Sequence, residues 1–369
     1  MDARVPNRFA RLLADAGADA KGNGGADMKK LLNTLYVTKQ NAYLHKEGET
    51  VVVELEKQVL LRLPIHTLSG IVTFGNVMTS PHLLNLCAER GVCVTMMSEF
   101  GKFLARVEGP VSGNVLLRMA QMRAHENAES KGELARNFVL GKLVNARAVL
   151  MRRMRDHGET EKLKDGAARH LEILRQVRES PADAVRIRGL EGLAGAVYFG
   201  CFNELLVAQQ DVFYIDSRNR RPPTDPMNAL LSYLYTLLAH ECRGALEGVG
   251  LDPQIGFLHE VRPGRPALAL DLMEEFRATL ADRMALSLVN LRQVGPKDFR
   301  LTESGAVLMD DGARKTVLGA WQRKKQEQIV HPFLGEKMPI GLLPHVQALL
   351  LARYLRGDLD AYPPFMWQK

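Results

Sequence analysis

The chain has 369 residues, 46% hydrophobic and 25% charged, which is typical of a folded protein with a sizeable core and favours two domains over one. Its net charge of +7 favours a polyanionic partner such as nucleic acid. It has neither an apolar run long enough for a transmembrane helix nor the apolar stretch of a signal peptide, so we expect a cytoplasmic protein without a membrane partner.

The first 27 residues are rich in Ala, Gly and Asp and end in the run Lys21-Gly-Asn-Gly-Gly-Ala-Asp27. Such a segment buries too little apolar surface to offset the entropy lost on ordering it. We therefore predict a flexible leader over residues 1–27. Either the start codon is misassigned and Met28 is the natural first residue, or the leader is a tail that contacts DNA or a partner. We favour the misassigned start codon.

Residues 28–109 are predicted to form a small β-sandwich-like domain, because they contain short segments rich in β-branched and aromatic residues. The predicted strands cover residues 34–37, 42–44, 51–55, 59–63, 71–74, 93–97 and 102–107, with a hairpin turn at 46–49. One helix is expected to begin at Pro81, after the N-cap Ser80, and to stop near Gly91. Pro110 and Gly113 mark the end of this domain.

Residues 114–369 are predicted to form a larger all-α domain, because apolar residues recur there at three- and four-residue spacing. The predicted helices cover residues 134–154, 162–178, 190–207, 228–246, 267–288 and 342–355. The expected fold class is therefore α+β. Residues 114–188 are rich in Arg and Lys, which indicates either a solvated helix face with interleaved acids or a surface that contacts phosphates.

A group of acids lies within an apolar part of the predicted helix 267–288. Residues three and four apart share a helix face, so Asp271, Glu274 and Glu275 should project together. Carboxylates placed together repel each other, and a bound cation or proton relieves that repulsion. The alternative is an amphipathic helix whose acids pair with Arg277 and nearby lysines, and the pattern alone favours this alternative.

Two further residues could complete a site with these acids. His259 precedes a loop with two prolines and a glycine, which can fold it back beside the next helix, although a single histidine is more often structural. Glu191 is the one acid in the apolar, small-residue-rich first half of the predicted helix 190–207, although a glutamate in the first turn is also favoured by the helix dipole.

One histidine with two or three carboxylates makes a hard ligand set suited to Mg²⁺ or Mn²⁺. Such an ion activates water or a sugar hydroxyl for attack on a phosphodiester, so no protein nucleophile is required. The four cysteines include no CxxC pair, which argues against a zinc or iron–sulfur site. Neither GxxxxGK[ST] nor GxGxxG is present, so nucleotide-driven chemistry has no support.

Together these segments resemble the family of the CRISPR-associated adaptation integrase, Cas1, across residues 28–369. The resemblance is carried by the segment around Glu191, by Gly-Phe-Leu-His ending at His259, and by Asp271-Leu-Met-Glu-Glu-Phe-Arg277. Residues 228–235 and the proline-rich residues 362–368 are similar to the subtype I-C branch.

The resemblance implies specific roles for these residues. Glu191, His259 and Glu274 would be the metal ligands, with Asp271 as a supporting acid in the catalytic set. Many family members have Asp where Glu274 stands, so the geometry can differ at that ligand. Arg277 matches a basic position that faces DNA. We predict Arg265 and Arg188 as further DNA contacts.

The resemblance also implies a function. The β domain would dimerise, and a small dimeric partner, Cas2, would join the helical catalytic domain to insert prespacer DNA into the repeat array. The 3′-hydroxyl of the prespacer would attack a phosphodiester at the repeat border, and a Cas4 nuclease would be a separate chain. Two alternatives remain open: a stand-alone structure-specific metal-dependent nuclease, and a non-catalytic basic DNA-binding scaffold.

Overall fold

The structure is a computed structural model that describes residues 34–68, 70–98, 103–107, 109, 115–219 and 222–367. The described part of the chain combines two four-stranded sheets near its N-terminus with a mainly helical remainder that holds two short strand pairs. The predicted leader over residues 1–27 and the predicted boundary residues Pro110 and Gly113 lie outside the described residues. No helix in the described part combines the length and the apolar character needed to cross a membrane.

The described residues up to Val107 form two four-stranded sheets and one helix. Their elements are β1 (Thr34–Val37), β2 (Tyr43–Glu47), β3 (Thr50–Leu55), β4 (Gln58–Pro64), β5 (Gly70–Phe74), β6 (Met78–Thr79), α1 (Pro81–Glu89), β7 (Cys93–Met97) and β8 (Phe103–Val107). One sheet has the order β1-β5-β7-β8 and the other β4-β3-β2-β6. The predicted strands are present where they are described, but β6 was missed because two residues carry no recognisable pattern.

Both sheets share one apolar core with α1. Leu44 of β2, Ile71 of β5 and Leu83 of α1 are fully buried in the same cluster. Strands β1, β5 and β7 run parallel, so the arrangement differs from a purely antiparallel sandwich. As predicted, α1 begins after Ser80, whose Oγ accepts a hydrogen bond from the Leu83 backbone N–H at 3.2 Å.

The remainder of the described chain is mainly helical. Its helices are α2 (Val115–Glu126), α3 (Ala128–His157), α4 (Glu161–Glu179), α5 (Ala184–Gly200), α6 (Pro226–Gly248), α7 (Ala267–Glu274), α8 (Arg283–Asn290), α9 (Asp311–Gln326) and α10 (Leu343–Leu355). The predicted all-α character is wrong in detail, because short antiparallel pairs of strands are also present. They are β9 (Phe299–Leu301) with β10 (Val307–Met309), and β11 (Gln328–Val330) with β12 (Lys337–Pro339).

Three helix predictions need correction. The helix predicted over 190–207 begins at Ala184, because the Asp183 carboxylate caps it by accepting from the Val185 N–H at 2.9 Å. The single helix predicted over 267–288 is interrupted: α7 ends at Glu274, and a π-helical turn over Arg277–Asp282 separates it from α8. The prediction missed α9 altogether.

Packing of α3, α4 and α5 places the helix of Glu191 beside the loop of His259. Val139 of α3, Val177 of α4 and Ala194 of α5 are buried in one apolar cluster. Leu258, which precedes His259, is buried in that same cluster. Apolar burial therefore brings two distant predicted site residues into the same region.

His170 of α4 stabilises the packing of α5. Its Nε2–H donates to the Ala194 carbonyl at 3.0 Å, and the ring is almost completely buried. Burial lowers the pKa of His170 from 6.5 to about 4. In the unfolded chain the ring protonates near its ordinary pKa, so between about pH 6.5 and 4 only the unfolded chain takes up this proton. The stability that depends on the neutral ring is therefore present above this window and lost as the pH falls through it.

We predict that His170→Gln reduces the acid sensitivity of the fold while keeping an N–H donor for the Ala194 carbonyl. Below pH 6.5 the unfolding free energy of the wild type should fall more steeply than that of the variant, by up to about 1.4 kcal/mol per pH unit. Urea denaturation at pH 7, 6 and 5 measures this slope. His157→Gln, at the exposed end of α3, is the control. Equal slopes in the wild type and His170→Gln would contradict the prediction.

Candidate metal centre

Asp271 holds the loop of His259 against α7. Its fully buried carboxylate accepts hydrogen bonds from the backbone N–H groups of Phe257, Leu258 and His259 at 2.5, 3.0 and 2.9 Å. Its Oδ1 also lies 2.7 Å from His259 Nδ1, which donates because a carboxylate oxygen accepts. The loop therefore folds back beside α7, as the sequence indicated, and Asp271 orients the imidazole ring.

Helix α2 fixes the same loop from its other side. Buried Gln121 accepts from the Asp252 N–H at 2.9 Å and donates to the carbonyls of Asp252 and Ile255 at 2.8 and 2.9 Å. His125 Nδ1 lies 2.6 Å from the Gly256 carbonyl oxygen. A Cβ atom on Gly256 would lie only 2.7 Å from a backbone carbon of α7, so this approach requires glycine. Gln121 and His125 were missed, since neither carries a sequence pattern.

Glu274 lies at the centre of a cluster of charged side chains. Its Oε1 lies 3.0 Å from Arg277 Nη2 and 3.7 Å from His259 Nε2, and its Oε2 lies 2.9 Å from Lys142 Nζ. Lys142 also forms an ion pair with Glu191 Oε1. The cluster thus joins residues of α3, α5 and α7, the His259 loop and the π-helical turn. Sequence analysis missed Lys142.

Glu274 and Lys142 of this cluster are charged at neutral pH. Burial raises the pKa of Glu274, but Arg277, Lys142 and His259 outweigh that effect and lower it to about 2. Burial lowers the pKa of Lys142, but Glu274 and Glu191 raise it above its ordinary value. Glu274 is therefore ionised, as a metal ligand must be.

Glu275 does not share a face with Asp271 and Glu274, so that prediction is wrong. Its carboxyl group accepts from Tyr362 Oη at 2.5 Å, from the Phe365 N–H at 2.8 Å and from Gln347 Nε2 at 2.8 Å. Burial raises the pKa of Glu275 to about 8, although all three hydrogen bonds lower it. The group is thus mainly protonated at pH 7, and it fixes the C-terminal segment instead of contributing to the cluster.

The donor chemistry of Glu191, His259 and Glu274 fits a hard divalent ion. Asp271 accepts the Nδ1 proton of His259, which leaves the Nε2 lone pair on the side of Glu274. Buried Glu274 Oε2 has an ion pair but no hydrogen bond of good geometry. Within the described residues no three His, Cys, Asp or Glu side chains are grouped closely enough to hold an ion as they stand. The Lys142 ammonium instead contacts both carboxylates.

The three arginines predicted to contact DNA have different surroundings. Arg277 is mostly buried, pairs with Glu274 and lies over the Tyr235 ring, 5.0 Å from its centroid. Arg188, in the first half of α5, pairs with Glu260 at 2.5 Å and so links α5 to the His259 loop. Arg265 is partly exposed in the loop that leads into α7. Contact with DNA stays a prediction for all three.

Comparison with known sequences identifies one family. Residues 35–323 match the family described as CRISPR associated protein Cas1. A CRISPR-associated endonuclease Cas1 of Chlorobaculum tepidum is 52% identical over 344 residues, which cover 92% of this chain and 100% of the relative. A CRISPR-associated exonuclease Cas4/endonuclease Cas1 fusion of Geobacter sulfurreducens is 35% identical over 336 residues, or 90% of this chain and 60% of the fusion.

Solved structures share the fold. A Cas1 protein from Thermotoga maritima has a TM-score of 0.77 at 22% identity, covering 91% of this chain and 100% of that one. A casposase bound to an integration product has a TM-score of 0.78 at 22% identity, and the match covers 91% of this chain and 94% of the casposase chain. A chain of a Cas6-RT-Cas1–Cas2 complex has a TM-score of 0.79 at 20% identity, covering 95% of this chain and 37% of that one.

We predict that Asp271→Asn loosens the His259 loop. An amide offers one acceptor oxygen, and its NH₂ group would face an N–H donor, so the unfolding free energy should fall by about 1–3 kcal/mol. Urea denaturation measures the loss, and hydrogen exchange should show weaker protection of the amides of Phe257 and His259. Asp252→Asn is the control, because its Oδ1 accepts only a local bond from the Gln254 N–H. Equal losses in both variants would contradict a special role for Asp271.

Proposed function

The chain belongs to the Cas1 family of CRISPR-associated proteins, and on that premise we propose that it is a metal-dependent DNA endonuclease and integrase of CRISPR adaptation, a form of antiviral defence. The observation that carries the proposal is the convergence of Glu191, His259 and Glu274, from distant parts of the sequence, on one cluster. The basic net charge of +7 supports double-stranded DNA as the substrate.

Glu191, His259 and Glu274 would hold the Mg²⁺ or Mn²⁺ ion in this mechanism. A bound ion supplies Lewis-acid activation of an attacking hydroxyl and stabilises charge on the phosphate. Asp271 keeps a proton on His259 Nδ1, so that Nε2 remains a ligand atom. Arg277, restrained by Glu274 and the Tyr235 ring, offers a guanidinium to a phosphate.

The same residues can serve both reactions of the proposal. Attack by water on a phosphodiester cuts DNA, whereas attack by the 3′-hydroxyl of a prespacer strand joins it to the repeat. In both cases the attacking oxygen forms a bond to phosphorus and the leaving 3′-oxygen of the cut strand departs, so both require a positioned hydroxyl in line with the leaving group. The chain therefore needs no separate centre for cutting and joining.

We further propose that the β-rich part forms the homodimer and that residues from Val115 onward form the catalytic domain. A Cas2 dimer would complete the complex; a structural relative of this chain comes from a Cas1–Cas2 complex. These 369 residues hold no cysteine set for an iron–sulfur cluster, so the iron–sulfur chemistry of a Cas4 nuclease would have to come from outside them. The segments 228–235 and 362–368 favour subtype I-C, which a repeat array of that subtype beside the gene would support.

Glu191→Ala tests the proposal. The variant should cut branched DNA and join prespacer DNA to a repeat-containing plasmid at least about 100-fold more slowly in manganese buffer, while its DNA affinity changes little. Gel assays with and without the dimeric partner measure both reactions. Glu172→Ala is the matched control, since its exposed carboxylate lies on α4 and pairs only within that helix.

Two outcomes favour the alternatives. Full cutting and joining by Glu191→Ala would leave the chain as a basic DNA-binding scaffold, with its activity arising elsewhere. If the wild type cuts branched DNA but joins nothing under any partner condition, the chain is a stand-alone structure-specific nuclease.

A further inference from the structure

We propose that Lys142 is an internal counter-ion that occupies the gap between Glu191 and Glu274 and that a divalent ion must displace. In the metal-free protein its ammonium offsets part of the negative charge of the two carboxylates, and it thereby weakens their affinity for the ion. This inference rests on the proposed metal-dependent function, and it assigns to Lys142 the role of a positioning residue that competes with the ion for its ligands.

The position of Lys142 is built into the fold. Its side chain is only 18% exposed, and its Nζ atom contacts Glu191 and lies 2.9 Å from Glu274 Oε2. The preceding residue, Gly141, lets α3 approach closely, since a Cβ there would lie 3.2 Å from the Glu275 side chain. One turn later, Asn145 Nδ2 donates to the Glu275 carbonyl at 2.7 Å. These contacts hold α3 against the end of α7, so Lys142 is not a mobile surface lysine.

The two proposed carboxylate ligands are already paired with two cations without a metal ion. Glu191 and Glu274 contribute two negative charges, and Lys142 and Arg277 contribute two positive charges. An entering divalent ion would add two positive charges beside the two cations that already pair with these carboxylates, which is costly in a medium of low dielectric constant. The ion therefore requires that a resident cation leave its place or that an anion enter.

Lys142, and not Arg277, is the cation that has to move. Arg277 contacts only one of the proposed ligands, Glu274, and lies over the Tyr235 ring. Lys142 bridges both carboxylates and so stands where a shared ion would bind. Its ammonium is carried by a flexible stem of four carbon atoms, which allows it to withdraw while α3 stays in place.

Titration of Mn²⁺ into the full-length, DNA-free protein tests this inference. Calorimetry gives the affinity, and thermal melting gives the stability with and without Mn²⁺. Lys142→Met should bind Mn²⁺ at least about tenfold more tightly than the wild type, because the competing cation is gone. Its metal-free form should melt at a lower temperature, and Mn²⁺ should raise that temperature by more than in the wild type.

Lys325→Met is the matched control. Lys325 is also a buried lysine, and its Nζ pairs with Glu241 at 2.6 Å within the helical part, but neither residue belongs to the cluster. Loss of this pair should lower the melting temperature and leave the Mn²⁺ affinity unchanged. Lys142→Gln, which removes the charge but keeps N–H donors for the carboxylates, provides the same measurement if Lys142→Met does not fold.

The outcomes separate this inference from the proposed function. Tighter Mn²⁺ binding in a Lys142 variant but not in Lys325→Met supports the counter-ion role of Lys142. This holds even where binding of Mn²⁺ to the wild type is too weak to measure. Unchanged or weaker binding in the Lys142 variants, with metal-dependent joining by the wild type, overturns the inference and leaves the proposed function standing. No Mn²⁺ binding by the wild type or by any variant overturns both.

Discussion

Compensation of buried charge is the constraint that shapes the centre of this protein. Glu274 is almost completely withdrawn from water, and an unpaired carboxylate there would cost several kcal/mol. Its charge is balanced by Arg277 from the π-helical turn and Lys142 from α3, and Lys142 carries the connection on to Glu191 of α5. Three helices therefore have to meet in one relative position, because sliding any of them would leave a charge without a partner.

Two adjacent glutamates show how strongly the surroundings determine the chemistry of a carboxyl group. Glu274 lies among cations, which lower its pKa to about 2. Glu275 lies among Gln347, Tyr362 and Phe365, where burial raises its pKa to about 8. One carboxyl group is therefore a charged candidate ligand, and the next is a mainly neutral link to the C-terminal segment. The two side chains meet different surroundings because adjacent residues of a helix project about 100° apart.

Local patterns predicted most of the individual elements but not the break after α7. β-Branched residues predicted the strands, and the spacing of apolar residues predicted most helices. Both patterns depend only on residues that are close together in the sequence. Leu272, Met273 and Glu274 all favour a continuing helix. The break coincides with hydrogen bonds that Glu275 accepts from Tyr362 and Phe365, 87 and 90 residues away. Only tertiary packing brings such partners together.

Local sequence patterns also could not reveal every residue of the candidate site. Sequence patterns singled out Glu191, His259, Asp271 and Glu274, and resemblance to a family supplied their roles and that of Arg277. The structure gathers these five residues around one cluster. Lys142 lies 49 residues before Glu191 in a long helix with several lysines and arginines, where a lysine carries no pattern of its own. A counter-ion can therefore be found only after the helices are placed.

Helix α6 makes contacts that also become visible only when the helices are placed. Its Tyr235 lies under Arg277, and further along the same helix Glu241 accepts from Tyr36 of β1 at 3.0 Å. Because α6 is buried on most of its surface, tertiary packing holds Tyr235 and Glu241 where they make these contacts.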